Sequence, residues 1–154
     1  MLTLELPNGA IVLIDLTVLR CIKKYLQSKP ADKEAGGILI GEYYYGNHLH
    51  ITDCTEPSTE DDRGRFSFHR KSPHHQELTR KLWSKSGKTK TWIGEWHTHP
   101  EDTPNPSTID INNWQKNLPK RQAILLIQGN SYMWIGYWNG LQVRFIAHHI
   151  NKNE

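Results

Sequence analysis

Cysteine is scarce in this sequence, with Cys21 and Cys54 the only two in 154 residues. Two thiols so far apart draw neither a disulfide framework nor a cysteine metal knuckle, so both read as inert side chains. Long apolar runs are missing as well. Nothing approaches the ~18 residues that cross a bilayer, and no basic-then-apolar leader opens the chain. The expectation is a cytoplasmic, reduced protein without a membrane partner. Charge of one sign is thin: 19 Lys and Arg stand against 16 Asp and Glu, for a net +3. The densest basic group, "KLWSKSGKTK" at 81–90, is interrupted throughout. That pattern predicts a solvated surface and no nucleic-acid partner. Repeats, low-complexity blocks and linkers are lacking too, so one domain over residues 1–154 is expected.

Aromatic residues are what the chain has in quantity. Six Trp, six Tyr and three Phe supply large burial per residue and offset an apolar fraction of 36%. A chain of this length can close a core around them without staples.

Strand signals dominate. "LTLELPNGAIVLIDL" reads as two short strands around a Pro-Asn-Gly turn. From Asp15 to about Ser28 the spacing of Leu16, Leu19, Ile22 and Leu26 predicts a helix that ends before Pro30. "GGILIGEYYYGNHLHITDC" predicts a strand, a glycine-centred turn and a returning strand, and "TEPSTEDDRGR" at 55–65 a loop. Ser72 is a good N-cap with Pro73 at the first helical position, Leu78 and Leu82 as the buried stripe and Gly87 as the stop. "TKTWIGEWHTH" is a strand, followed by a proline-rich loop and a short helix from Ser107 to about Asn117. "AILLIQ", "YMWIGYW" and "LQVRFIAHH" close the chain as strands, the last two joined at Asn139-Gly140. The fold class is α+β, with a curved, mainly antiparallel sheet flanked by about three helices.

Chemistry concentrates in "GEWHTHPEDTPNPSTID" at 94–110. Side chains on a strand alternate faces, so His97 and His99 point the same way and Trp96 and Thr98 the other. Two imidazoles on one strand face can meet one ion at ~2.0–2.1 Å. Asp110, in the first turn of the helix behind Ser107, is placed to be a third ligand once the proline loop folds back. Two His and one carboxylate with an open fourth position describe a catalytic zinc site rather than a closed structural one. Simpler readings exist for each part. His-x-His pairs also occur in hydrogen-bonded loops, and a first-turn aspartate is favoured by the helix dipole alone. A water-activating site also needs a base, for which Glu34, Glu95, Glu101 and Asp102 are candidates. Glu34 stands at the entry to a strand, although it could equally be an exposed charge closing "KPADKE". Glu95 shares the face of His97 and could be a rival ligand or a charge at the strand entrance.

Glu34 in "EAGGILIG" and His97, His99, Pro100, Ser107 and Asp110 in "HTHPEDTPNPSTID" together resemble the motif of the JAMM (MPN+) metallopeptidase family. Every spacing in the second block agrees with that pattern, and the order of elements suits the MPN/JAB fold over nearly the whole chain. "DDRGRFSFHR" followed by a helix and "IGEWHTHPE" is similar to small bacterial JAB deconjugases of CBASS antiphage operons. The resemblance implies one Zn2+ per chain, held by His97, His99 and Asp110 with a water as fourth ligand. It also implies Glu34 as proton carrier and Ser107 as donor to the developing oxyanion. Glu95 stands where many eukaryotic members carry an apolar or aromatic residue, and is expected to act beside the ligands or on the substrate side.

The implied substrate is a protein with an extended C-terminal tail conjugated to lysine, a CD-NTase-like nucleotidyltransferase, with E1- and E2-like operon partners. Arg63, Arg65 and Phe66, in the wall from Ile51 to Phe68, are candidates for contacting it, with Arg70 nearby; each charge among them could also be solvated. Three alternatives stay open: a JAB enzyme acting on a ubiquitin-like or sulfur-carrier protein, a non-catalytic MPN scaffold, and a metal hydrolase of another bond. The last would ordinarily need two metals and more carboxylates than can be placed at the site.

Overall fold

A computed structural model of the chain describes residues 1–45 and 47–151. Its frame is an eight-stranded sheet. Strands β1 (Leu2–Glu5) and β2 (Ile11–Ile14) form the expected hairpin, with Gly9 at φ 85° in its turn and the Asn8 side chain accepting the Ala10 N–H. Helix α1 (Leu16–Lys23) follows, then β3 (Gly36–Tyr44) and β4 (His48–Cys54). Gly46, the glycine of the predicted turn between them, lies outside the described residues. A two-stranded ribbon, β5 (Asp62–Arg63) with β6 (Phe68–His69), comes next, then α2 (His74–Lys85), β7 (Thr91–Thr98) and α3 (Thr108–Asn117). β8 (Ala123–Gln128), β9 (Tyr132–Trp138) and β10 (Val143–Ile150) end the chain. The sheet order is β1-β2-β4-β3-β7-β8-β9-β10, antiparallel except at β2–β4 and β7–β8. The α+β class and the mainly antiparallel sheet with three helices are as the sequence predicts.

Both faces of the sheet centre are covered, which is why β8 reads "AILLIQ" and is buried at every position. On one face α1 packs Val18, Leu19 and Ile22 against Val12, Leu39, Ile51, Trp96 and Leu126. On the other, Trp114 of α3 packs with Leu125, Ile127, Trp134 and Trp138. β7 therefore lies mid-sheet, between β3 and β8.

Three local expectations shift. Helix α1 stops at Lys23 rather than running to Ser28. The chain turns there through i→i−3 bonds at Tyr25 and Leu26 and carries Gln27 into the interior, where it is 1% exposed. Tertiary hydrogen bonding of one amide outweighs the helical spacing of Leu26. The loop at 55–65 contributes β5, paired to β6. Helix α2 is anchored by buried His75, while Leu78 and Leu82 are only half-buried. His75 Nε2 meets Asp61 Oδ2 at 2.8 Å and its Nδ1 meets the Thr55 hydroxyl, so a buried polar pair ties α2 to the loop that follows β4. Cys21 and Cys54 are free and half-buried, and burial pushes both thiols up, toward the inert protonated form.

Candidate metal centre

Each part of the site is placed by short-range rules. On β7, Thr98 is fully buried on the core side, which turns its neighbours His97 and His99 to the opposite, cleft-facing side. The loop after Pro100 is fastened to the β8–β9 turn: the Asn130 N–H reaches Glu101 O at 2.8 Å, and the Ser131 and Tyr132 N–H groups reach Asp102 O at 3.0 and 2.9 Å. That fold-back brings the start of α3 over the end of β7. There Ser107 and Asp110 form a reciprocal capping box, with Asp110 N donating to Ser107 Oγ at 3.0 Å and Ser107 N to Asp110 Oδ2 at 2.9 Å.

The result is a convergence of three donor side chains. His97 Nε2 and His99 Nε2 are 3.1 Å apart, Asp110 Oδ1 is 3.3 Å from the first and Asp110 Oδ2 is 3.1 Å from the second. Ligand atoms at ~2.0–2.1 Å from a tetrahedral zinc stand about 3.3–3.4 Å from one another. The three side chains thus already outline one face of such a coordination shell, and the residues fit the ion. Burial would raise the Asp110 carboxyl, but the two imidazoles and the Ser107 N–H hold it well below the usual carboxylate range. Burial would lower His97, but Asp110 outweighs it and the ring is pushed up. Protons or a cation are what this geometry attracts.

Glu34 is buried beside the group, with Oε1 3.8 Å from His99 Nε2, too far to share a coordination bond and close enough to reach a water there. Burial dominates its surroundings and pushes its carboxyl up to about 7, with His97 and His99 pulling the other way. Its backbone is fixed from both sides. The Glu34 N–H donates to Gly64 O at 2.6 Å, and Arg63 Nε donates to Glu34 O at 2.8 Å. Next door, Ala35 exchanges two bonds with Thr98, its N–H going to Thr98 Oγ1 and its carbonyl taking the Thr98 N–H, both at 2.9 Å. Thr98 Oγ1 donates in turn to Gln27 Oε1 at 2.9 Å. The two glycines that follow permit close approach: a Cβ at Gly36 would meet the Phe68 ring, and one at Gly37 the Thr55 carbonyl.

The remaining candidates separate. Arg63 and Arg65 do not line the cleft: Arg63 holds the Glu34 and Lys33 carbonyls, and Arg65 holds those of Lys29, Pro30 and Asp32. Phe66 stands at the cleft rim, 77% exposed, as does Ile109 of α3 at 67%. Glu101 Oε1 is 3.3 Å from His99 Nδ1, on the side of the ring away from the convergence. Asp102 fastens the loop. Glu95 turns to Arg70 and Trp114 rather than to the group of His97, His99 and Asp110. Sequence reasoning missed Gln27, Thr98 as a hub, and Trp114. Only Trp114 carried a signal, being one helical turn beyond Asp110.

Among the described residues a second group, Asp61, His74 and His75, also brings possible ligand atoms within 4.8 Å of one another. Its ring nitrogens are already engaged: His74 with Ser72 Oγ at 2.7 Å and Glu56 O at 2.6 Å, His75 with Thr55 and Asp61. A cation there would have to displace satisfied buried bonds. At His97 and His99, by contrast, two ring nitrogens face each other. That group lies in a cleft of about 990 Å³, lined also by Phe68, Trp92 and Asn113.

The model of a family described as prokaryotic homologs of the JAB domain matches residues 23–140. This chain is a JAB-family protein. As a JAB-family member it is similar to a protein of Escherichia coli named CD-NTase/cGAS isopeptidase, 41% identical over 130 residues, 84% of this chain and 82% of that one. A protein of the same name from Vibrio cholerae is 37% identical over 130 residues, 84% of this chain and 83% of its own. Among solved structures, one from Desulfitobacterium hafniense superposes with a TM-score of 0.62 at 19% identity, covering 93% of this chain and 94% of that chain, and shows the shared JAB-like fold.

Proposed function

We propose that this JAB-family protein is a zinc-dependent isopeptidase that hydrolyses the amide joining the C-terminal tail of a CD-NTase-like nucleotidyltransferase to a lysine of a target protein. The observation that carries the reading is the convergence of His97, His99 and Asp110 at tetrahedral spacing with the buried Glu34 carboxylate 3.8 Å from His99 Nε2. Zinc held there supplies the Lewis acidity that activates water and polarises a carbonyl. Glu34 takes the proton from the attacking water and hands it to the departing lysine amine. Ser107 donates its O–H to the carbonyl oxygen as negative charge develops. Capping does not compete with this role. In the capping box the Ser107 oxygen accepts the Asp110 N–H, and a hydroxyl that accepts still has its own proton to give. Ser107 is exposed, as a donor to substrate must be.

The names of the two relatives favour a nucleotidyltransferase tail over a ubiquitin-like or sulfur-carrier one. The resemblance to the JAB deconjugases of antiphage operons supports conjugation by E1- and E2-like partners and a role in antiphage defence. Phe66 and Ile109, both lining the cleft and exposed, would grip the tail. The test is cleavage of such a nucleotidyltransferase fused through its C-terminus to a second protein. Wild type should release the fusion partner, and chelator or Glu34→Gln should abolish release. Release that survives both would refute the reading.

A further inference from the structure

The proposed ligands come from two elements, His97 and His99 from β7 and Asp110 from α3, so their spacing depends on how α3 is seated. Helix α3 has one buried residue, Trp114. Its ring is 3% exposed, stacked on Trp134 with centroids 5.9 Å apart and planes at 13°, and set against the His97 ring at 6.1 Å. Trp114 lies four residues after Asp110, on the same helix face. Whatever fixes the indole therefore fixes where the Asp110 carboxylate arrives.

The indole is fixed by Glu95. Trp114 Nε1 donates to Glu95 Oε1 at 2.7 Å, and Arg70 Nη1 donates to Glu95 Oε2 at 3.3 Å. The Glu95 side chain is 23% exposed, and a carboxylate so placed needs partners for both oxygens. One oxygen goes to α3 and the other to the segment that leads into α2. Two residues along β7, on the same face, stands His97.

We propose that Glu95 is a positioning residue for the metal centre: through Trp114 it sets the seat of α3 on β7 and so holds Asp110 at ligand distance from His97 and His99. This rests on the metal site proposed above. Neighbours that orient metal ligands alter metal affinity by about 10–100-fold when removed.

The test measures zinc affinity by chelator competition and the visible absorption of the cobalt-substituted full chain. It uses wild type, Glu95→Leu, Glu95→Gln and Trp114→Phe, with folding checked by circular dichroism. Glu95→Leu removes the acceptor and should weaken zinc binding about 10–100-fold and shift the cobalt bands. Trp114→Phe keeps a ring against His97 but loses the donor, and should reproduce that change; it reads the same bond from the other side if Glu95→Leu folds poorly. Glu95→Gln keeps an acceptor for the indole and should stay within about threefold of wild type, a rescue that charge loss alone would not give. Folded Glu95→Leu and Trp114→Phe proteins with wild-type affinity and wild-type cobalt bands would overturn the proposal. So would a Glu95→Gln protein as weak as Glu95→Leu. Wild type that takes up neither metal would instead overturn the metal site itself.

Discussion

Replacing Thr98 by Val should cost both stability and turnover although Thr98 faces away from the cleft. The exchange preserves shape and deletes one hydroxyl. That hydroxyl accepts the Ala35 N–H and donates to Gln27 Oε1, each at 2.9 Å, at a position with no exposure. Valine leaves a buried N–H and a buried amide oxygen unpaired, at about 1–3 kcal/mol each, or roughly 1–5 kcal/mol after the gain of about 1 kcal/mol from an extra buried methyl. For a chain of this length about 2–4 °C of melting temperature is lost per kcal/mol, so a fall of roughly 2–20 °C is expected. The Ala35 N–H also anchors the residue after Glu34, and misplacing a reacting group by about 1 Å can cost about 100-fold in rate. Calorimetry and steady-state hydrolysis of the fusion substrate make the check, with metal content measured alongside. The expected outcome is a lower melting temperature and a lower kcat with zinc retained. A melting temperature within about 2 °C of wild type and unchanged kcat would refute the hydrogen-bond account of how Glu34 is held.

Other perturbations give distinct signatures. Glu34→Gln should retain zinc and lose about 100–10,000-fold in kcat, read by metal analysis and single-turnover cleavage. Ser107→Ala should lose about 100–1,000-fold in kcat as an oxyanion donor and about 1 kcal/mol of stability as a cap, whereas Ser107→Thr should keep most of both. The Asp61–His75 pair predicts acid sensitivity. Burial would raise Asp61, but the Ser72, Ser58 and Lys71 N–H groups and His75 bring its pKa down to about 2, so its contribution is present above the unfolded value near 4 and is lost as pH falls through about 2. Burial depresses His75 despite Asp61, so the unfolded chain takes up that proton first and stability also falls below about pH 6.5. Denaturant melts across pH should show both declines, and Asp61→Asn should flatten the lower one while reducing stability at neutral pH.

What could be read from sequence was whatever local rules determine. Strand alternation alone aims His97 and His99 together, and a Ser-x-x-Asp box alone starts α3 where it begins. Glu34 was different, since no local pattern distinguishes it from an exposed loop charge; its 63-residue separation from His97 is closed only by the β3–β7 pairing. The early end of α1 and the burial of Gln27 were illegible for the same reason, because the partners of that amide include Arg65, 38 residues away, and Thr98, 71 residues away. Helix α2 misled in another way. Its leucine spacing suggested an apolar anchor, whereas a histidine paired with a distant aspartate holds it. Arg63 and Arg65 looked like surface charges available to a partner, and their backbone acceptors on the 29–34 segment could not be read from composition.

The proposed hydrolysis depends on one divalent cation held between two imidazoles and a carboxylate. Anomalous diffraction at the zinc edge from crystals of the full chain tests it directly. A single strong peak about 2.0–2.1 Å from His97 Nε2, His99 Nε2 and an Asp110 oxygen is the predicted result. A peak at Asp61, His74 and His75 instead, or no peak from zinc-supplemented crystals, would contradict it.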